Sequence, residues 1–136
     1  WETECEDNAF LTLKSNNNVI ATLHSSATQW KHKFLLEMAF EDGYVNLDGI
    51  LSSTRSYTPE TMVMGRREFE DITFAMGKPK ESTTYYEYDK SWEFELDEFI
   101  NAVLGISPIV NGTSRDALEI MKLTDHIYST NKINIK

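Results

Sequence analysis

The chain has 136 residues, of which 40% are hydrophobic and 26% charged, with a net charge of -9. That length fits one domain with a real core. The acidic balance argues against binding a phosphate backbone or an anionic membrane surface, and no apolar run approaches the ~18 residues that would span a bilayer.

The first eight residues hold Glu2, Glu4, Glu6 and Asp7 rather than the basic start of a secretory signal. The chain opens on Trp1, which suggests that an upstream segment was removed. The single cysteine, Cys5, can form no internal disulfide and no metal-ligand pair. A reducing, cytoplasmic compartment is the expectation.

Phe10–Lys14 and Val19–Ser25 read as two strands of a hairpin, joined through the turn-favouring Asn16-Asn17-Asn18. Phe34, Leu36, Met38 and Phe40 alternate on one face of a third strand. Glu41-Asp42-Gly43 is expected to turn the chain, with glycine supplying a positive φ. Tyr44–Leu51 returns, with Val45, Leu47, Gly49 and Leu51 on one side and Tyr44, Asn46, Asp48 and Ile50 on the other. Ser52–Thr58 is polar and reads as a loop. Thr61–Phe69 and Ser82–Tyr88 read as two more strands, separated by the break Met76-Gly77-Lys78-Pro79.

The period then changes. Trp92, Leu96, Phe99, Ile100 and Val103 recur on one helical face. Asp89 or Ser91 can cap that helix, and Gly105 and Pro108 end it. Thr113 is expected to cap a second helix, with Asp116 three residues on. Ala117, Ile120, Met121, Thr124, Ile127 and Tyr128 would form its buried stripe. Residues 131–136 are expected to add a short strand or to fray. Strands first and helices last predict an α+β fold: an open, mostly antiparallel sheet with helices on one face. The other face, if apolar, is left for a partner.

Several chemistries can be set aside by spacing. The glycines are Gly43, Gly49, Gly65, Gly77, Gly105 and Gly112. None lie two, three or five apart, so neither a dinucleotide fingerprint nor a Walker A loop is present. His24, His32 and His126 make no metal motif; His24 stands beside Ser25 and Ser26, without a nucleophile elbow. The acidic run from Glu81 to Glu98 reads as a solvated helix face, although Glu93 and Asp97, four apart, could share a cation. Asn111-Gly112-Thr113 fits a glycosylation acceptor by a pattern that is common by chance. Two polar stretches combine hydroxyls, an aromatic and a cation, as a sugar site does. Ser25–His32 contributes Thr28 and Trp30; Ser53–Tyr57 contributes Arg55 and Tyr57, with Arg55 suited to a carboxylate or phosphate. These four are the candidate substrate-binding residues.

A resemblance adds to this reading. Glu6-Asp7-Asn8-Ala9, Ser26-Ala27-Thr28-Gln29-Trp30-Lys31-His32, Phe40-Glu41-Asp42-Gly43-Tyr44-Val45 and Leu47-Asp48-Gly49 come in an order that resembles one family. Asp89-Lys90-Ser91-Trp92-Glu93-Phe94-Glu95, Ser107-Pro108-Ile109-Val110-Asn111-Gly112 and Ala117-Leu118-Glu119-Ile120 continue it. The order resembles the C-terminal domain of the Gfo/Idh/MocA oxidoreductases, the glucose-fructose oxidoreductase and inositol dehydrogenase family. The resemblance implies that residues 1–136 are the substrate and oligomerisation domain of a two-domain enzyme. An N-terminal Rossmann domain, absent from this chain, would bind NAD or NADP and supply the catalytic Lys-Pro motif. Lys78-Pro79 sits too late to correspond, so no catalytic, cofactor-binding or metal residue is carried over. The implied substrate is a sugar or nucleotide sugar, and the implied partner is a second copy on the open sheet face. In members acting on nucleotide sugars, the loop after the matching Asp-Gly is glycine-rich and ends in Tyr-Gly. Here Ile50–Thr58 replaces it. The alternatives are a stand-alone dimerisation or ligand-binding module, and a small α+β barrel with a closed pocket.

Overall fold

The computed structural model describes residues 6–51, 54–67 and 80–130. Cys5, the break at Met76–Pro79, the expected strand end at Phe69 and the tail after Thr130 lie outside the described residues. The fold is α+β, with two antiparallel sheets and two helices. Strands β1 (Asn8–Lys14) and β2 (Ile20–Ser26) form one sheet; β3 (Leu35–Phe40), β4 (Gly43–Ile50), β5 (Tyr57–Arg66) and β6 (Glu81–Tyr86) form the other, in that order. Helices α1 (Ser91–Val103) and α2 (Ser114–Thr130) follow. The chain divides into two compact units, residues 31–93 and residues 1–30 with 94–136.

In the first unit, register sorts the side chains of the four-stranded sheet. Leu36, Leu47, Met62 and Thr84 stand directly opposite one another across it. So do Met38, Val45, Met64 and Ser82. Opposed residues share a face, so this face is apolar through its middle along β3, β4 and β5, with Glu60 and Arg66 of β5 at its two ends. The other face carries Glu37, Asn46, Val63 and Thr83, then Ala39, Tyr44, Gly65 and Glu81. The alternation expected for Leu36, Met38 and Phe40 therefore holds. The Tyr44 hydroxyl donates to the Glu81 carboxylate on the polar face, and that bond raises the Tyr44 pKa above its ordinary value. Between them lies Gly65, where a Cβ would come 2.4 Å from the Tyr44 ring. The ring thus occupies the space a side chain at 65 would take.

Two glycines act differently from expectation. Gly43 does not adopt a positive φ; Glu41 and Asp42 form the turn. Gly43 is needed because a Cβ there would meet the Gly65 carbonyl at 2.2 Å. Gly49 does have a positive φ, 80°, at a register shift between Asp48 and Ile50. Opposite it, Pro59 sits inside β5, which begins at Tyr57 rather than Thr61. Proline lacks the N–H that a regular ladder requires, and a bulge removes that requirement.

In the second unit, Asn18 takes φ 62° and closes the β1–β2 turn, donating its N–H to the Ser15 carbonyl at 3.0 Å. Ala9, Leu11 and Leu13 are the half-buried positions of β1. β1 and the Leu123–Thr130 stretch of α2 line one cleft of about 670 Å³. At the other end of α1, Gly105 at φ 71° donates to the Ala102 carbonyl while Ile106 donates to Asn101, a Schellman ending. At the start of α2, the Asp116 N–H donates to Thr113 Oγ1, and the Thr113 N–H donates back to Asp116 Oδ2 at 3.0 Å. This is the reciprocal cap expected from the sequence.

The expected apolar stripes form but are not deeply packed. Trp92, Leu96, Phe99, Ile100 and Val103 are each more than half exposed. Of the expected α2 stripe, only Ile127 is half-buried. On the apolar sheet face, Leu36 and Met64 are 41% exposed and Phe40 62%. Among the described residues, no apolar side chain is fully buried. No described helix is long and apolar enough to cross a membrane.

Candidate functional site

A concavity that holds both a cation and a carboxylate lies at one end of the four-stranded sheet. Its wall is Leu51, Arg55, Pro59, Tyr86, Glu87 and Tyr88, around about 480 Å³. Local chain geometry explains why these residues meet. β4 ends at Ile50 just past the Gly49 bulge, whose N–H donates to the Phe34 carbonyl at 2.9 Å. The Leu51 N–H donates to the Glu60 carboxylate, which ties the departing chain back to β5. Glu60 pairs with Tyr86, the last residue of β6. Glu87 and Tyr88 continue past the end of the ladder, so they stand at the same rim.

Arg55 rides on the short loop between β4 and β5. Its φ is 54°, the left-handed region that non-glycine residues seldom occupy. The flanking Thr54 and Ser56 hydroxyls are 2.8 Å apart and hydrogen-bonded. Backbone outliers of this kind concentrate at binding sites, where surrounding structure holds them. The Tyr86 hydroxyl reaches Met62 Sδ at 3.8 Å, which orients its ring over the end of the apolar face.

The four residues singled out from the sequence do not share one place. Arg55 lines the cleft. Tyr57 opens β5 and packs on the His32 ring instead, with centroids 4.9 Å apart and planes tilted by 50°. Thr28 and Trp30 belong to the other unit. Thr28 accepts from Asn8 Nδ2 at 3.0 Å and shares a hydrogen bond with the Ser26 hydroxyl at 3.1 Å. Trp30 is fully exposed. His24, the histidine beside the serines, stacks on Phe10 with centroids 4.2 Å apart.

Tyr86, Glu87 and Tyr88 were not among the expected site residues. Their run of tyrosines reads from the sequence as strand-forming, and only the sheet register reveals that they end beside Arg55. The wall supplies a forked cation, a carboxylate, two aromatic planes and the apolar edges of Leu51 and Pro59. That set offers hydrogen-bond donors, acceptors and stacking surfaces to a ligand. Among the described residues, no group of three or more histidines, cysteines or carboxylates is placed to hold a metal ion. Compared with family models, curated proteins and solved structures, the chain has no match in any of the three.

Proposed function

We propose that this chain is the substrate-pocket and pairing domain of an NAD(P)-dependent oxidoreductase acting on a sugar or nucleotide sugar. In that reading a separate Rossmann domain holds the NAD or NADP and performs the hydride transfer in the cytoplasm. This domain shapes the pocket and joins two subunits sheet to sheet. The observation that carries the reading is the division of the four-stranded sheet. One face is apolar and more than a third exposed at Leu36, Phe40 and Met64, while the Arg55 cleft opens at the sheet's end. An apolar face of that kind is uncommon on a monomer and ordinary at a subunit interface.

Sedimentation equilibrium of the 136-residue chain tests the pairing. A dimer is expected, and Leu47→Asp, which puts a charge in the middle of the apolar face, is expected to give a monomer. A wild-type chain that remains monomeric at high concentration would rule the pairing out. The same preparation should form no NADH from sugars and NAD, and measurable turnover would overturn the assignment of catalysis to another domain.

The second reading is a stand-alone dimerisation or ligand-binding module. What favours it is that the described cleft wall, within residues 51–88, belongs to one compact unit of this chain. The reading of the coding sequence upstream of Trp1 separates the two: a glycine fingerprint followed by Lys-Pro supports the oxidoreductase.

A further inference from the structure

Resting on the reading of this domain as a sugar-binding one, we propose that the cleft takes a hydroxylated ring bearing an acidic group, a carboxylate or a phosphate. Three features of the wall converge on that class. Arg55 brings a planar fork of N–H donors that matches the paired oxygens of an acid. Tyr86 and Tyr88 bring flat faces, and a pyranose presents its C–H bonds to such faces. Glu87 accepts hydrogen bonds, which suits the ring's hydroxyls and disfavours a second acidic group. The position of Arg55 adds a fourth. Its left-handed φ of 54° sets it on a conformation that glycine would adopt at less cost. Backbone outliers of this kind concentrate at ligand clamps and active sites.

The cleft's volume of about 480 Å³ is within the range of small-ligand sites. The cleft is open to solvent rather than enclosed, so a substituent on the ring can extend outward. The carboxylate and the phosphate share the recognition chemistry, and the experiment distinguishes them.

Isothermal titration of the 136-residue chain with four probes provides the test: glucuronate, glucose 6-phosphate, glucose and inorganic phosphate. At least one of the two acidic sugars is expected to bind about tenfold or more tightly than glucose, the ratio a charge-assisted hydrogen bond supplies. The tighter of the two identifies the acid. Arg55→Gly is expected to erase that preference without disturbing the fold, because glycine suits φ 54°; unchanged circular dichroism checks the fold. Arg55→Lys keeps the charge but not the fork and should retain only part of the preference. If glucose binds as tightly as both acids, or Arg55→Gly leaves the preference intact, the inference fails while the sugar-binding reading stands. If inorganic phosphate binds as tightly as glucose 6-phosphate, the site is a bare anion site and the ring has no part in it. If no sugar binds, both readings fail together.

Discussion

The four-stranded sheet and the hairpin-and-helix unit hold their shapes by different means. In the sheet the critical points are glycines at which two backbones, or a backbone and a ring, come too close for a Cβ. In the other unit they are polar side chains that satisfy backbone N–H groups at a helix end and in a loop: Asp116 with Thr113, and Glu98 accepting from the N–H groups of Val110 and Asn111. Steric contacts are short-ranged, indifferent to salt and costly to violate. Exposed charge-assisted hydrogen bonds are worth less, are screened, and respond to pH. The two regions should therefore fail under different perturbations.

The largest effect is expected at Gly49. A Cβ there would lie 1.9 Å from the Pro59 carbonyl oxygen, and φ is already 80°. Gly49→Ala should cost at least about 3 kcal/mol, the sum of left-handed strain and a forced backbone shift. Gly105 is the control. It has a similar φ of 71°, but a Cβ would meet nothing within 4 Å. Gly105→Ala should cost only about 1 kcal/mol. Urea denaturation of both variants, with amide exchange in β4 and β5 as the local reporter, separates clash from strain. Equal costs would mean that the close approach at Gly49 contributes nothing beyond φ.

An intermediate effect belongs to the helical unit. Thr113→Ala removes the acceptor for the Asp116 N–H and the hydroxyl that donates to Asp116 Oδ2 at 2.7 Å. The expected loss is about 1 kcal/mol, the usual worth of an N-cap. Thr113→Ser should recover most of it. Amide exchange at 114–117 should quicken in the alanine variant, with β4 and β5 unchanged.

Much of this contrast can be read in the sequence, and the missing part has a physical cause. The caps are local: Thr113 and Asp116 are three residues apart, and Asp89 reaches Ser91, so spacing alone locates them. The hairpin turns are local for the same reason, as is the alternation of Leu36, Met38 and Phe40. What local pattern does not contain is register between distant strands. Gly43 looks like a turn glycine beside Asp42, whereas its constraint comes from Gly65, 22 residues away. Pro59 argues against a strand until Gly49 is placed opposite it. The same holds for the site. Arg55 stands out as a cation among hydroxyls in the sequence, but Tyr86, Glu87 and Tyr88 join it only through the pairing of Glu60 with Tyr86. The division of six strands between two sheets is likewise a matter of long-range pairing, which a single expected sheet did not anticipate.

The smallest effect, and the one that separates the two regions by sign, is the dependence on pH. The Asn111 and Val110 N–H groups hold the Glu98 carboxyl below its ordinary 4.5. The Thr113 hydroxyl and N–H hold Asp116 below 3.8. The unfolded chain therefore takes up these protons at higher pH than the folded one. The stability these groups contribute is present above the ordinary values and is lost as pH falls through the folded ones. Tyr44 behaves in the opposite sense. Its bond to Glu81 favours the neutral phenol and raises its pKa above 10.0, so its contribution is present below 10 and is lost as pH rises through the folded value. Amide exchange should thus quicken first around 98–116 on acidification and first along β4, β5 and β6 on alkalinisation. Glu98→Gln should blunt the acid response, Tyr44→Phe should blunt the alkaline one, and neither should affect the other. None of these groups is buried, so about 0.5 M salt should shrink both responses. The Gly49→Ala penalty should remain, because a steric clash between Cβ and a carbonyl oxygen is not screened.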